Sequence, residues 1–213
     1  MPVPPNANPR PLRADAQRNR ARLLEVALHA FSAEGSQPVP LEAIAREAGV
    51  GIGTLYRHFP TREALAEATY RNELARLCDG VAELLAHLPA DQAMRVWRDR
   101  FFAYMETKRE LREALQAVIA AGANPFAESR GRLVTAMTTL LTAGVKQGTL
   151  RDDVSADDVL AAMSGIAQAT AGAPEQRDRL LDLLLDGLRR QPHGESGPPA
   201  ALGQRQRRSV SGA

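Results

Sequence analysis

LEAIAREAGVGIGTLYRHFPTR, residues 41–62, is the stretch whose reading decides the fold. Leu41, Ile44, Ala45 and Ala48 recur at helical spacing on one face, so the first part reads as a short helix. Pro40 stands at its start, where the missing N–H has no helical partner to lose. Gly49 ends it, as the residue that takes positive φ without penalty. A second helix is expected from about Ile52 to Phe59, with Pro60 as its stop. Leu55 and Phe59, four apart, share the inward side. Gly53, Thr54, Tyr56, Arg57 and His58 are left on the outer side. Within this helix that outer side offers hydroxyl, phenol, guanidinium and imidazole and no carboxylate, which suits a polyanion lying against it.

Working outward, a preceding helix is expected at about residues 15–34, with Leu24, Ala27, Leu28 and Phe31 as its buried face. Leu24, Leu28, Phe31, Ile44, Leu55 and Phe59 would form the core of a three-helix unit. That unit is small enough to need support from the later helices. Thr61 is placed to cap the next helix, which is expected to run to about residue 88, too long to serve the small unit alone. Further helices are expected at about 91–107, 109–121, 128–147, 155–171 and 174–190. The breaks between them fall at Gly- and Pro-bearing segments. No stretch alternates with period 2. The expectation is therefore an all-α chain of about nine helices in two lobes. The expected organisation is a disordered arm at 1–14, a helix-turn-helix unit at 15–62, a larger helical lobe at 63–190, and a disordered Gly-, Pro-, Ser- and Arg-rich tail at 191–213.

The run IAREAGVGIGTLYRHFPTREAL resembles the DNA-binding signature of the tetracycline-repressor-like (TetR) family of bacterial regulators, with a match from about Arg18 to about Tyr70. The resemblance implies that Ile52, Gly53, Thr54, Tyr56 and His58 stand at the family's usual DNA-contact positions and Arg62 at its basic phosphate contact. Arg57 joins this set on its chemistry alone, as a guanidinium suited to guanine or phosphate. Pro40 and Gly51 depart from the pattern, since many members carry Ser or Thr there, and a hydroxyl contact is lost at each helix start. The arginines around the first helix, at 10, 13, 18, 20 and 22, are candidates for phosphate or minor-groove contact.

The second lobe carries Trp97, Phe101, Met105, Met137 and Met163. Each is first of all a core residue. The resemblance adds that this lobe holds a cavity for a small-molecule effector, and a pliable pocket would use such side chains. Ala162, Gly165 and Ala169 form a small-residue stripe, and Leu181, Leu184 and Leu188 belong to a broad apolar face. In the family the last two helices make a homodimer interface, so these six residues are its candidates. A two-fold dimer reads a pseudo-palindromic operator in double-stranded DNA.

Other classes fare badly. The chain has 27 basic and 25 acidic residues, a net charge of only +2, so overall charge alone points to no polyanion. Its one cysteine, Cys78, excludes an internal disulfide. No apolar run of membrane-spanning length and no secretory leader is found, which fits a cytoplasmic protein. The four histidines are scattered, and no HExxH pair, Cys–His metal spacing, GxSxG elbow or phosphate-binding loop is present, so neither metal, cofactor nor catalysis is expected. The glycines at 49, 51 and 53 follow no strand and are not a nucleotide fingerprint. The rival from another class is a ligand-binding or scaffold protein that keeps this fold without binding DNA.

Overall fold

The computed structural model describes residues 9–33 and 38–190. Among these the chain is helical, in ten segments: α1 (Pro9–Ser32), α2 (Leu41–Glu47), α3 (Ile52–His58), α4 (Arg62–Asp79), α5 (Val81–His87), α6 (Ala90–Glu110), α7 (Arg112–Ala120), α8 (Ser129–Lys146), α9 (Ala156–Ala169) and α10 (Pro174–Leu188). The only extended pairing among the described residues is an isolated antiparallel bridge, Leu150 to Arg189, which ties the end of α10 to the α8–α9 loop.

The helix expected at about 62–88 is divided at Gly80 into α4 and α5, which turns nine helices into ten segments. The turn is tight there: a Cβ at Gly80 would sit 2.8 Å from the carbonyl oxygen of Arg76. The first helix starts at Pro9 rather than near Asp15, so part of the expected disordered arm is helical. Pro9 and Pro11 both fall in the first turn, where the backbone donors have no helical acceptor and proline costs little. The expected tail beyond residue 190 and the first eight residues lie outside the described residues.

Three helices form the head. Leu23, Leu24, Ala27 and Phe31 of α1, Ile44 and Ala45 of α2, and Leu55 and Phe59 at α3 are buried together, while Leu28, expected in this core, is only half-buried. Gly49 adopts φ +63°, and Val50 N–H donates back to the Ala45 carbonyl at 2.9 Å, closing the end of α2. The Thr61 hydroxyl accepts from Ala64 N–H at 3.1 Å, capping α4 as its sequence position implied.

Helix α4 carries the head into the larger lobe. It packs on α1, α6, α7 and α8, while α5 lies against α6 and α8, and α9 lies between α8 and α10. Ser32 at the end of α1 donates to a Glu110 carboxylate oxygen at 2.6 Å, a second tie between head and body. At the centre of the larger lobe Trp97 stacks on Phe101, and its indole N–H donates to the Leu77 carbonyl at 3.1 Å. Beneath α4 the hydroxyls of Tyr70, Tyr104 and Ser129 form a buried chain, with Tyr70 2.5 Å from Tyr104 and 2.8 Å from Ser129. Each buried hydroxyl therefore has a partner.

Burial revises the expected surfaces. Leu181 and Leu188 are buried within the protomer, together with Leu185, and Leu184 is half-buried. Leu183, on the opposite side of α10, is 70% exposed. A broad leucine face has two destinations, and its inner half went to the protomer's own core. Ala162, Gly165 and Ala169 lie along α9, where Ala162 and Ala169 are exposed and Gly165 is open enough that an added Cβ would meet nothing within 4 Å.

Cys78 is half-buried, and burial pushes its thiol up to about 11. At pH 8 only about one thiol in a thousand is then ionised, since each unit is a factor of ten. Native protein is expected to resist iodoacetamide at pH 8 and to react promptly once unfolded, which mass spectrometry follows; rapid native labelling would show an exposed thiolate. Gly49→Ala forces a side chain into positive φ and is expected to cost about 1–2 kcal/mol, read as a lower melting midpoint.

Candidate nucleic-acid interface

The face that α3 turns outward is set by the face it turns inward. Leu55 is fully buried and Phe59 nearly so, which fixes the helix against α1 and α2. Ile52 is then 38% exposed and Tyr56 43% exposed. Gly53 and Arg57 are exposed, and Thr54 and His58 half-buried. Ile52, Gly53, Tyr56 and Arg57 thus make one open patch, with Thr54 and His58 at its margins. A large apolar side chain and a phenol on this seven-residue helix thus each keep a sizeable part of their surface open to water.

A Cβ built on Gly53 would meet nothing within 4 Å. The head itself does not require glycine there. With no side chain at exposed Gly53, between Ile52 and Tyr56, the backbone of a partner can come close.

Two features were not legible in the sequence. The Tyr56 phenol donates to a Glu42 carboxylate oxygen at 3.3 Å, so α2 brings an acid to a patch whose own helix has none. The Glu42 charge, then burial and the hydrogen bond itself, hold the phenol above its ordinary value. Spacing along one helix cannot show a side chain delivered from another. Arg62, expected to face phosphate, is half-buried instead: its guanidinium donates to the Val39 carbonyl at 2.6 Å and lies 4.8 Å over the Phe31 ring. Burial pulls its pKa down, with Glu63 acting the other way. Its evident work is to fasten the segment entering α2 onto α1.

The arginines of α1 also divide. Arg20 lies 5.6 Å over the Phe59 ring, and Arg22 donates to the Ala48 carbonyl at 3.4 Å. Both therefore brace the helix-turn-helix from outside. Arg18 pairs with Asp15. The side chains of Arg10 and Arg13 lie outside the described residues. No group of three or more His, Cys, Asp or Glu suited to a metal occurs among the described residues.

The effector-pocket candidates separate in the same way. Trp97, Phe101, Met137 and Met163 are fully buried core residues, and only Met105 of the expected five lines an open groove. That groove, of about 830 Å³, runs between the α6–α7 corner, Phe126 and the α9–α10 turn.

A three-helix head with an exposed short third helix, joined through α4 to a helical body, defines a helix-turn-helix DNA-binding transcriptional regulator. Residues 23–69 match "Bacterial regulatory proteins, tetR family", and residues 89–190 match "Transcriptional regulator SbtR-like, C-terminal domain". The structure is similar to that of a TetR transcriptional regulator from Streptomyces coelicolor, at 51% identity and TM-score 0.73, over 80% of this chain and 98% of that one. It is also similar to a TetR regulatory protein from Mycobacterium vanbaalenii, at 34% identity and TM-score 0.68, over 84% of this chain and 99% of that one. An HTH-type transcriptional regulator of Staphylococcus aureus is 40% identical over 63 residues, 30% of this chain and 34% of that protein. The likeness to that curated relative thus spans about a third of its length. The chain belongs to the TetR family.

Gly53→Ala separates folding from binding. The melting midpoint is expected to hold or rise, because alanine gains roughly 0.5–1 kcal/mol over glycine inside a helix. DNA affinity is expected to fall, and unchanged affinity would show that DNA stays away from this turn. Glu42→Gln removes a negative charge beside Tyr56 and is expected to tighten DNA binding most at low salt, which fluorescence anisotropy measures.

Proposed function

We propose that the protein is a ligand-released repressor that binds a pseudo-palindromic operator as a homodimer. The observation that carries this reading is the open patch of Ile52, Gly53, Tyr56 and Arg57 on a helix whose other side is locked into the head. A helix of this size enters the major groove, where Arg57 is the best-suited reader of guanine, and Thr54, with Tyr56 once its phenol leaves Glu42, donates to phosphates. His58 borders the same strand. Arg62 takes a supporting role, holding the approach to α2, and offers phosphate only what its packing leaves outward.

Dimerisation would use the surface of α9 and α10 that the protomer leaves uncovered: Ala162, Gly165 and Ala169 with Leu183 and Leu184. Small residues let two helices approach closely, and an exposed leucine supplies apolar area. Leu181 and Leu188 would support this face from beneath. Repression and release by ligand are typical of the family. An effector in the larger lobe would act through its difference in affinity for two head spacings. A DNA target fits a cytoplasmic protein, and we read it as a binder of DNA and effector, not as an enzyme. The division of labour we propose is a DNA-reading unit at residues 15–62 and an effector and dimer unit at 63–190.

The test is selection from random-sequence duplex DNA followed by a salt titration of the winners. The expected result is an enriched palindrome whose affinity falls steeply with salt as phosphate counterions are released. No enrichment at low salt would support the scaffold reading. Arg57→Ala is expected to weaken the selected site by about 1–3 kcal/mol and to relax one base position. Leu183→Asp is expected to give monomers in sedimentation while the melting transition persists; an intact dimer would move the interface elsewhere.

A further inference from the structure

The groove of about 830 Å³ at the α6–α7 corner has an uneven charge that its apolar lining does not explain. Lys108, Arg109, Arg112 and Arg177 all border it, against a single acid, Glu106. Glu106 is already paired with Arg177 at 3.3 Å, and that guanidinium also lies 5.5 Å over the Phe102 ring. Lys108, Arg109 and Arg112 form no ion pair among the described residues. Lys108 is the telling one. Its ammonium sits 4.5 Å over the Phe126 ring and is half-buried. Burial pulls its pKa below the ordinary lysine value, with no carboxylate to offset the loss of water. A cation held half-dry without a counter-ion is costly unless something anionic visits.

The lining beside these cations also carries apolar surface: Phe102, Met105, Leu115 and Phe126 form part of this wall, and Ile119 is 46% exposed. A phosphate or other small hydrophilic anion would leave this wall wet. A neutral apolar molecule would leave the three cations unmatched. The volume lies in the range of small-molecule sites.

We propose that this groove binds an amphipathic organic anion, an acid group on an aliphatic or aromatic body, with Lys108 and Arg112 at the acid and Phe102, Met105 and Phe126 along the body. The proposal rests on reading the larger lobe as an effector lobe and adds the chemical class of the effector. The groove is also well placed to be felt by the head. Phe126 meets Tyr70 of α4 edge-on at 5.2 Å between ring centres. Lys108 stands two residues before Glu110, which holds Ser32 of α1. An acid drawing Lys108 off Phe126 would act on both connections.

The test uses full-length protein and matched probes that differ only in charge: decanoate with decan-1-ol, and 1-naphthoate with 1-naphthylmethanol. Calorimetry is run on wild type, Lys108→Gln, Arg112→Gln and the double variant, with melting midpoints to confirm folding. At least one acid is expected to bind about ten-fold more tightly than its alcohol, the scale of one charge-assisted contact. The double variant is expected to lose that preference and keep its affinity for the alcohol. Equal binding of acid and alcohol by wild type, or a preference that survives in the double variant, overturns the anion assignment and leaves a neutral effector site standing. Binding of none of the four probes overturns both the assignment and the effector role of this groove.

Discussion

The burial of Leu55 and Phe59 against α1 and α2 is what the rest of the structure depends on. A helix of seven residues is too short to hold itself in water. Its stability comes from the face it buries, and burying that face fixes the orientation of the other. Ile52, Tyr56 and Arg57 are aimed outward because Leu55 and Phe59 are anchored inward. The positive-φ turn at Gly49 sets where α3 begins. Outside this packing, Arg20 on Phe59, Arg22 on the Ala48 carbonyl and Arg62 on Phe31 clamp the head. Arginine suits this work because its planar group stacks on a ring while donating in a fixed direction. A polar surface helix is thus presented by a rigid support, which lowers the entropic cost of docking on DNA.

The head is also linked to the rest of the chain. It meets the larger lobe along α4 and through the Ser32–Glu110 hydrogen bond. Tyr70 of α4 is tied by hydroxyl contacts to Tyr104 of α6 and Ser129 of α8, so a shift among these helices reaches α4 directly. The break at Gly80 confines the continuous lever to α4, with α5 taking a separate place against α6 and α8. A ligand would need only unequal affinity for two arrangements of these helices to change how the head sits.

The head was legible because its signals are local. Helical periodicity, a glycine at a helix end and prolines at helix boundaries all act within a few residues. The larger lobe was less so, for a physical reason. Trp97, Phe101 and Met105 share a spacing of four, but one side of α6 faces the core and the adjacent stripe faces the groove. Phe102, next in sequence to Phe101, lines the groove, and no spacing rule says which stripe meets open space. Leu181 and Leu188 show the same ambiguity, since an apolar face reads alike whether its cover comes from the same chain or a second one. Arg62 and Glu42 show a third kind. Their partners, Val39 with Phe31 and Tyr56, are distant along the chain and come together only in the folded head. Family resemblance indicated where Arg62 lies but not how its packing divides its donors.

The most direct measurement is amide hydrogen exchange of the full chain, free and bound to its selected operator. If α3 lies in the major groove, the strongest slowing of exchange falls in peptides covering residues 49–58, with Gly53 and Tyr56 at their centre. Exchange at α3 that is the same with and without DNA, while some other surface becomes protected, would contradict the assignment of this helix as the reading element.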